Sequence, residues 1–312
     1  MGKAKTFRSP RSKYTMITKT YWRSMMRKFS WILLIVLLAF SVYAEDEDLL
    51  VVGSAEELKG ITAKKIIWKK DGAKMVPIPA SDTTKPFWMD ATEVTVGQFK
   101  QFVKQSGYEY HPQGFFTYPG SPQKFVVGEL APNPPSGSGE LPTIEITEFT
   151  GEVDWSRLDA VSPSDQHPMI YITWHDAMAY AKWTGKRLPT QKEWRFAAKG
   201  RLVGKPFTWG DDQNLARNYA NYKGTGGKDE WDKSTAPVGS FKPNGYGLFD
   251  MAGNVKEWCQ DWLDNNEKIN KVLMGGGWTS DRPFLRVFTR TLTAPNSRFS
   301  ENGFRCCVSD LP

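Results

Sequence analysis

The 312-residue chain is short of the side chains that most metal and redox chemistry uses. It holds three histidines and three cysteines, with no Cys-x-x-Cys and no ligand spacing of the zinc-finger kind. A structural zinc frame is therefore excluded, and so is a disulfide-stapled scaffold. Cys259, Cys306 and Cys307 are odd in number, so in an oxidising compartment at least one thiol stays free or pairs with another chain. Neighbouring Cys306 and Cys307 bond each other only with strain, and pairing of Cys259 with either stays open. His167 and His175 are eight residues apart and lack a third ligand for a facial triad. His167 is expected to hydrogen-bond within the fold, and His175 to be solvated in a first helical turn. There is no internal repeat at a solenoid period.

Acidic residues are missing from residues 1–44, which carry nine of the 41 Lys and Arg. Without that segment, 32 basic residues face all 34 acidic ones, a net of −2. The formal +7 therefore belongs to the N-terminus, and the remainder offers no nucleic-acid surface. Arg27 and Lys28 precede an apolar run from Phe29 to Phe40, then Val42-Tyr43-Ala44 and the acidic stretch Glu45 to Asp48. The run falls short of the roughly 20 residues that span a bilayer. Residues 1–44 thus read as a signal peptide with an over-long n-region, with Met25 or Met26 as alternative starts. The expected location is secreted, periplasmic or in the cell envelope, and membrane-attached only if the signal is uncleaved.

Residues 45–73 are expected to be a linker, and residues 74–309 a single domain. Met75 to Ala80 and Phe87 to Val94 read as strands. Thr95-x-x-Gln98 opens a helix ending near Gly107, Thr173 caps another that stops at Gly185, and Thr190-x-x-Glu193 opens a third closing at Gly200. No further helix of length is expected beyond Gly200. Residues 112–166, with the Pro-, Gly- and Ser-rich stretch from Pro132 to Gly139, read as a loop excursion.

Eleven blocks stand in order along the chain. Among them are Met75-Val-Pro-Ile-Pro-Ala80, His167-Pro-Met-Ile-Tyr-Ile-Thr-Trp174 and Gly185-Lys-Arg-Leu-Pro-Thr190 with Glu193-Trp194. Further on come Asp250-Met-Ala-Gly-Asn-Val-Lys-Glu-Trp258, Gly275-Gly-Gly-Trp-Thr279 and Gly303-Phe-Arg-Cys306. Together they resemble the sulfatase-modifying factor, or formylglycine-generating enzyme, family over about residues 74–308. The resemblance implies an α+β, C-type-lectin-like single compact domain with little regular secondary structure. It also implies copper held by two cysteines five residues apart, but those positions fall on Ser280 and Leu285. Neither supplies the soft thiolate that copper of that kind needs, so copper is not expected and no catalytic residue is assigned.

The family's calcium positions map onto Asp250, Gly253, Val255 and Glu257, and a second set onto Asn221, Tyr222, Asp229 and Trp231. Carboxylates and backbone carbonyls are the ligands calcium prefers. The leading expectation is a calcium-stabilised, non-catalytic binding or scaffold domain for a protein or glycan partner. The alternative is a family enzyme of altered chemistry. Arg286 and Arg290 are expected to pair with buried carboxylates or else to bind an anionic ligand. An enzyme would place ionisable groups such as Asp281, Arg282, Arg286 or His167 in a pocket near Ser280.

Overall fold

A computed structural model describes residues 49–112, the short strands 115–116 and 125–126, and residues 153–224, 230–231 and 233–309. The expected signal peptide, the acidic stretch after it, most of the loop excursion and Asp229 lie outside the described residues. Among the described residues no helix is long and apolar enough to cross a membrane.

Two mixed sheets carry the fold. The first has five strands in the order β1 (Leu50–Val52), β2 (Ile66–Trp68), β3 (Lys74–Ile78), β4 (Phe87–Asp90) and β11 (Cys307–Val308). Its β1–β2 pair is parallel and the other pairs are antiparallel. The second sheet orders β10 (Asn302–Gly303), β7 (Lys256–Trp262), β8 (Lys271–Met274) and β9 (Arg290–Thr293), with β10 parallel to β7. Strands β5 (Phe115–Phe116) and β6 (Phe125–Val126) pair only with each other.

The expected linker is a correction. Residues 50–73 supply two strands of the first sheet, and Val52, Leu58, Ile66 and Trp68 are buried with Met75, Trp88 and Val308. Trp68 Nε1 donates to the Thr184 carbonyl at 2.7 Å. Asp71 joins a buried cluster in which Lys186 Nζ lies 2.7 Å from Asp71 and 2.8 Å from Asp90. The fold therefore begins at Leu50. Three-residue strands among lysines carry no period that a sequence reading detects.

Three helices form where their caps place them. In α1 (Val96–Ser106), Thr95 Oγ1 accepts from Gln98 N while Gln98 returns a bond to the Thr95 N–H. The same reciprocal arrangement joins Thr173 to Asp176 before α3 (Trp174–Thr184), and Thr190 to Glu193 before α4 (Gln191–Ala198). Each box satisfies two otherwise orphaned amides. Gly107 and Gly185 close the first two helices in the left-handed region.

Between them lies one turn, α2 (Ser156–Asp159), which buries Leu158. The end of the expected excursion thus belongs to the core. Helices α1 and α3 pack through an aromatic cluster of Phe99, Phe102, Tyr110, Tyr180 and Phe304, with centroids 5.1–6.4 Å apart. Beyond Gly200 the helical segments among the described residues are short 3-10 turns, Gln213–Asn218 and Arg282–Leu285.

Candidate functional site

Strand β8 ends in the turn Gly275-Gly276-Gly277, which must stay thin. Gly275 and Gly276 have φ of 96° and 72°. A Cβ on Gly275 would stand 3.1 Å from the Trp194 ring, and one on Gly276 3.1 Å from the Phe284 carbonyl. Both positions therefore need glycine for conformation and for space. Ser280 closes the turn: its Oγ accepts from Gly277 N at 2.9 Å, and its own N–H returns to the Gly277 carbonyl. It is buried, and its carbonyl accepts the Lys223 N–H at 3.0 Å. Leu285, at the end of the following 3-10 turn, is fully buried among Phe207, Ala216, Ala220, Tyr222 and Ala252. One position expected to hold a thiol locks a turn, and the other fills a core.

The three cysteines are buried and free, which resolves the open pairing. Burial pushes all three thiols well above their ordinary range. They are inert thiols rather than thiolates. Ser164 Oγ and His167 Nδ1 share a hydrogen bond of 2.7 Å, as expected of an internal histidine, and burial lowers that imidazole's pKa. His175 is exposed on α3.

Beside Ser280 opens a cleft of about 610 Å³, lined by Phe207, Gln213, Lys223, Asp281, Arg282 and Arg286 among others. Phe207 stacks on Trp209 at 4.8 Å and 7°, and Trp209 on Tyr219 at 5.5 Å, giving the cleft a stiff aromatic wall. Arg282 Nη1 donates to Gln213 Oε1 at 2.9 Å, while its buried Nε has no partner. Among the described residues Arg286 makes only a loose contact with the Phe288 ring, at 6.0 Å. The expected pairing of Arg286 and Arg290 with buried carboxylates is therefore corrected: no ion pair engages either among the described residues. Of the groups expected near Ser280, Asp281, Arg282 and Arg286 converge, and His167 does not line the cleft. Gln213, Lys223 and Phe207 were missed, because nothing local marks them.

The block from Asp250 to Glu257 is fully buried in its two acids, but it is built around an arginine. Glu257 Oε2 accepts from Arg305 Nε, and Oε1 from Arg305 Nη2, both at 2.7 Å. Trp194 Nε1 adds a third bond to Oε2 at 2.7 Å. Asp250 Oδ2 accepts the Gly239 N–H at 2.7 Å, and the Glu93 carboxyl stands beside it. Burial together with the Asp250 charge pushes the Glu93 carboxyl well above its ordinary range. Burial likewise raises Asp250 to about 6.

In the second mapped set, Tyr222 offers its carbonyl to Arg217 Nη1 at 2.7 Å, with the guanidinium 4.2 Å from its ring. The Asn221 carbonyl accepts the Asn254 N–H at 2.8 Å. At both sets a guanidinium holds an acceptor that calcium was expected to face. Placing a divalent cation beside a fixed arginine opposes like charges. Glu257 and the Tyr222 carbonyl, as arranged, do not fit calcium, and no group of three His, Cys, Asp or Glu side chains converges among the described residues.

One further feature had no sequence signal beyond a lysine in an apolar strand. Lys271 Nζ lies between Trp174 and Trp262, 3.7 Å and 3.8 Å from their ring centroids, and donates to the Gln260 carbonyl at 2.8 Å. Burial pushes its pKa down to about 8. A groove of about 400 Å³ borders this sandwich.

A sequence profile described as "Sulfatase-modifying factor enzyme 1-like domain" matches residues 50–310, including the strands first taken for linker. The formylglycine-generating enzyme of Streptomyces coelicolor is 32% identical over 252 residues, covering 71% of this chain and 78% of its own. The mouse protein named inactive C-alpha-formylglycine-generating enzyme 2 is also 32% identical, over 251 residues, covering 74% and 78%. A solved structure of PvdO from Pseudomonas aeruginosa superposes with a TM-score of 0.53 at 23% identity, covering 78% of this chain and 97% of that one. That likeness shows the fold alone, a compact mixed α/β domain. Equal identity to a relative named as the enzyme and to one named as inactive leaves the decision to individual side chains.

Proposed function

The chain belongs to the sulfatase-modifying factor enzyme 1-like family, and from that premise we propose that it is a non-catalytic member. On this reading it is an exported, C-type-lectin-like binding domain that presents the cleft beside Ser280 to a protein or glycan partner. The observation that carries the reading is the fate of the two thiol positions. Ser280 Oγ is spent on the Gly277 N–H, and Leu285 is core. The remaining thiols are buried with raised pKa values, so no thiolate stands ready for soft-metal oxidation chemistry. Export rests on the basic, then apolar, then small-residue pattern of residues 1–44.

A second reading, altered chemistry in the same cleft, is favoured by the convergence of Asp281 with Arg282 and Arg286. Among the described residues it lacks a base paired to Ser280: His167 does not line the cleft, Asp281 stands exposed at its rim, and no side chain accepts the Ser280 hydroxyl proton. The test supplies the purified protein with Cu(I) and a cysteine-containing sulfatase peptide, then follows peptide mass and bound copper together. The expected outcome is unchanged peptide and no stoichiometric copper. Conversion of cysteine to formylglycine would overturn the reading.

A further inference from the structure

The cleft beside Ser280 carries unbalanced charge. Lys223, Arg282 and Arg286 line it, against Asp281 as the one acid among its described lining residues. The surplus is local, because residues 45–312 are net acidic at −2. None of the three cations has a carboxylate within ion-pair distance among the described residues. An arginine whose role is structural spends its donors on the protein; among the described residues Arg282 spends one and Arg286 none. Gln213 fixes the Arg282 guanidinium through one nitrogen and leaves the buried Nε without an acceptor. A buried donor left without an acceptor is costly, and a ligand oxygen would satisfy it.

We propose that this cleft binds a small organic dianion, either a phosphate monoester or a pair of neighbouring carboxylates. The inference rests on the binding-domain reading above and names its ligand class. Two features set the chemistry. A net lining charge of about +2 matches two negative charges, and the guanidinium fork fits carboxylate and phosphate oxygens in pairs. A volume of about 610 Å³ far exceeds a bare oxyanion, so the ligand carries an organic body. Exposed Pro283 supplies apolar surface for it, backed by the buried Phe207 ring, which lies flat against Trp209. Asp281, exposed at the rim, offers an acceptor to an N–H or O–H of that body.

The test is calorimetric titration of the purified protein with O-phosphoserine, with the dipeptide Asp-Glu and with inorganic phosphate. One of the two organic dianions is expected to bind at least about tenfold more tightly than inorganic phosphate, and the winner separates the two sources. Exposed Lys223→Gln should weaken that ligand about tenfold, a loss typical of removing one partner of a charged contact. Arg286→Gln should do the same, whereas Arg290→Gln, outside the cleft, should leave it unchanged. No binding of either organic dianion at 50 mM salt would overturn the inference. So would an equal loss in Arg290→Gln, or binding no tighter than inorganic phosphate. Either failure leaves the copper-and-peptide test above untouched, so the two proposals fail separately.

Discussion

Two arginine sites of this molecule are opposites. Arg305 is fully buried, and all five of its N–H donors are taken. Nε and Nη2 grip Glu257, Nη1 reaches the carbonyls of Asp90 and Ala91 at 3.2 Å, and Nη2 also donates to Phe249 at 2.9 Å. Arg286, half-buried in the cleft, donates to nothing among the described residues. The residue type is the same, and the sites differ in how many donors the protein itself satisfies. Arg305 ties β4, β7 and the loop before β7 together from the inside. Arg286 does no such work, and its availability is what a ligand would use.

Substitutions sharpen or break that contrast. The largest effect is expected from Arg305→Met, which strands three buried carboxyl groups, Glu93, Asp250 and Glu257. It should cost about 3–5 kcal/mol by denaturant unfolding; a loss below about 1 kcal/mol would mean Arg305 is no keystone. Next comes Leu285→Ala, expected to cost about 3 kcal/mol as a cavity, against about 1 kcal/mol for Ser280→Ala, one lost hydrogen bond. Equal costs would undo the assignment of core and turn.

Lys271 stands between the two arginine extremes, buried yet held by one carbonyl and two ring faces. Its pKa falls from 10.5 to about 8 in the fold, so between those values the unfolded chain binds more protons. Stability from this group should therefore rise as pH climbs from about 8 towards 10.5, and Lys271→Met should abolish the rise in urea titrations across that window.

Smaller still, Arg286→Gln should leave stability within about 0.5 kcal/mol. Chelation comes last. With arginines holding Glu257 and the Tyr222 carbonyl, removal of calcium should move the melting temperature by no more than about a degree. A fall of several degrees would show that a cation is bound despite them.

What could be read in the sequence was local. Thr95, Thr173 and Thr190 announce helix starts because the cap and its partner are three residues apart. The family blocks drew attention to Ser280 and Leu285, which the fold sets at the close of the glycine turn and at the end of the following 3-10 segment. What escaped was long-range. Lys186 meets Asp71 across more than a hundred residues, so the strands before residue 74 looked like a lysine-rich tether. Lys223 and Gln213 reach the cleft only because the chain folds back beside Ser280. The carboxylates of the Asp250 block looked like free donors because Arg305, 48 residues beyond Glu257, was not yet seen to hold them.

Leu285 carries a consequence for any attempt to install a thiol pair here. A leucine packed on Phe207, Ala220 and Tyr222 contributes to stability, so cysteine in its place would leave a filled core short of volume before a second thiol could give anything in return. The other half of the pair would have to replace a hydroxyl that closes the glycine turn. Each single substitution lowers stability and supplies one thiol, so only the double change is chemically meaningful. The two positions are coupled through packing: the core and the turn would have to give way together.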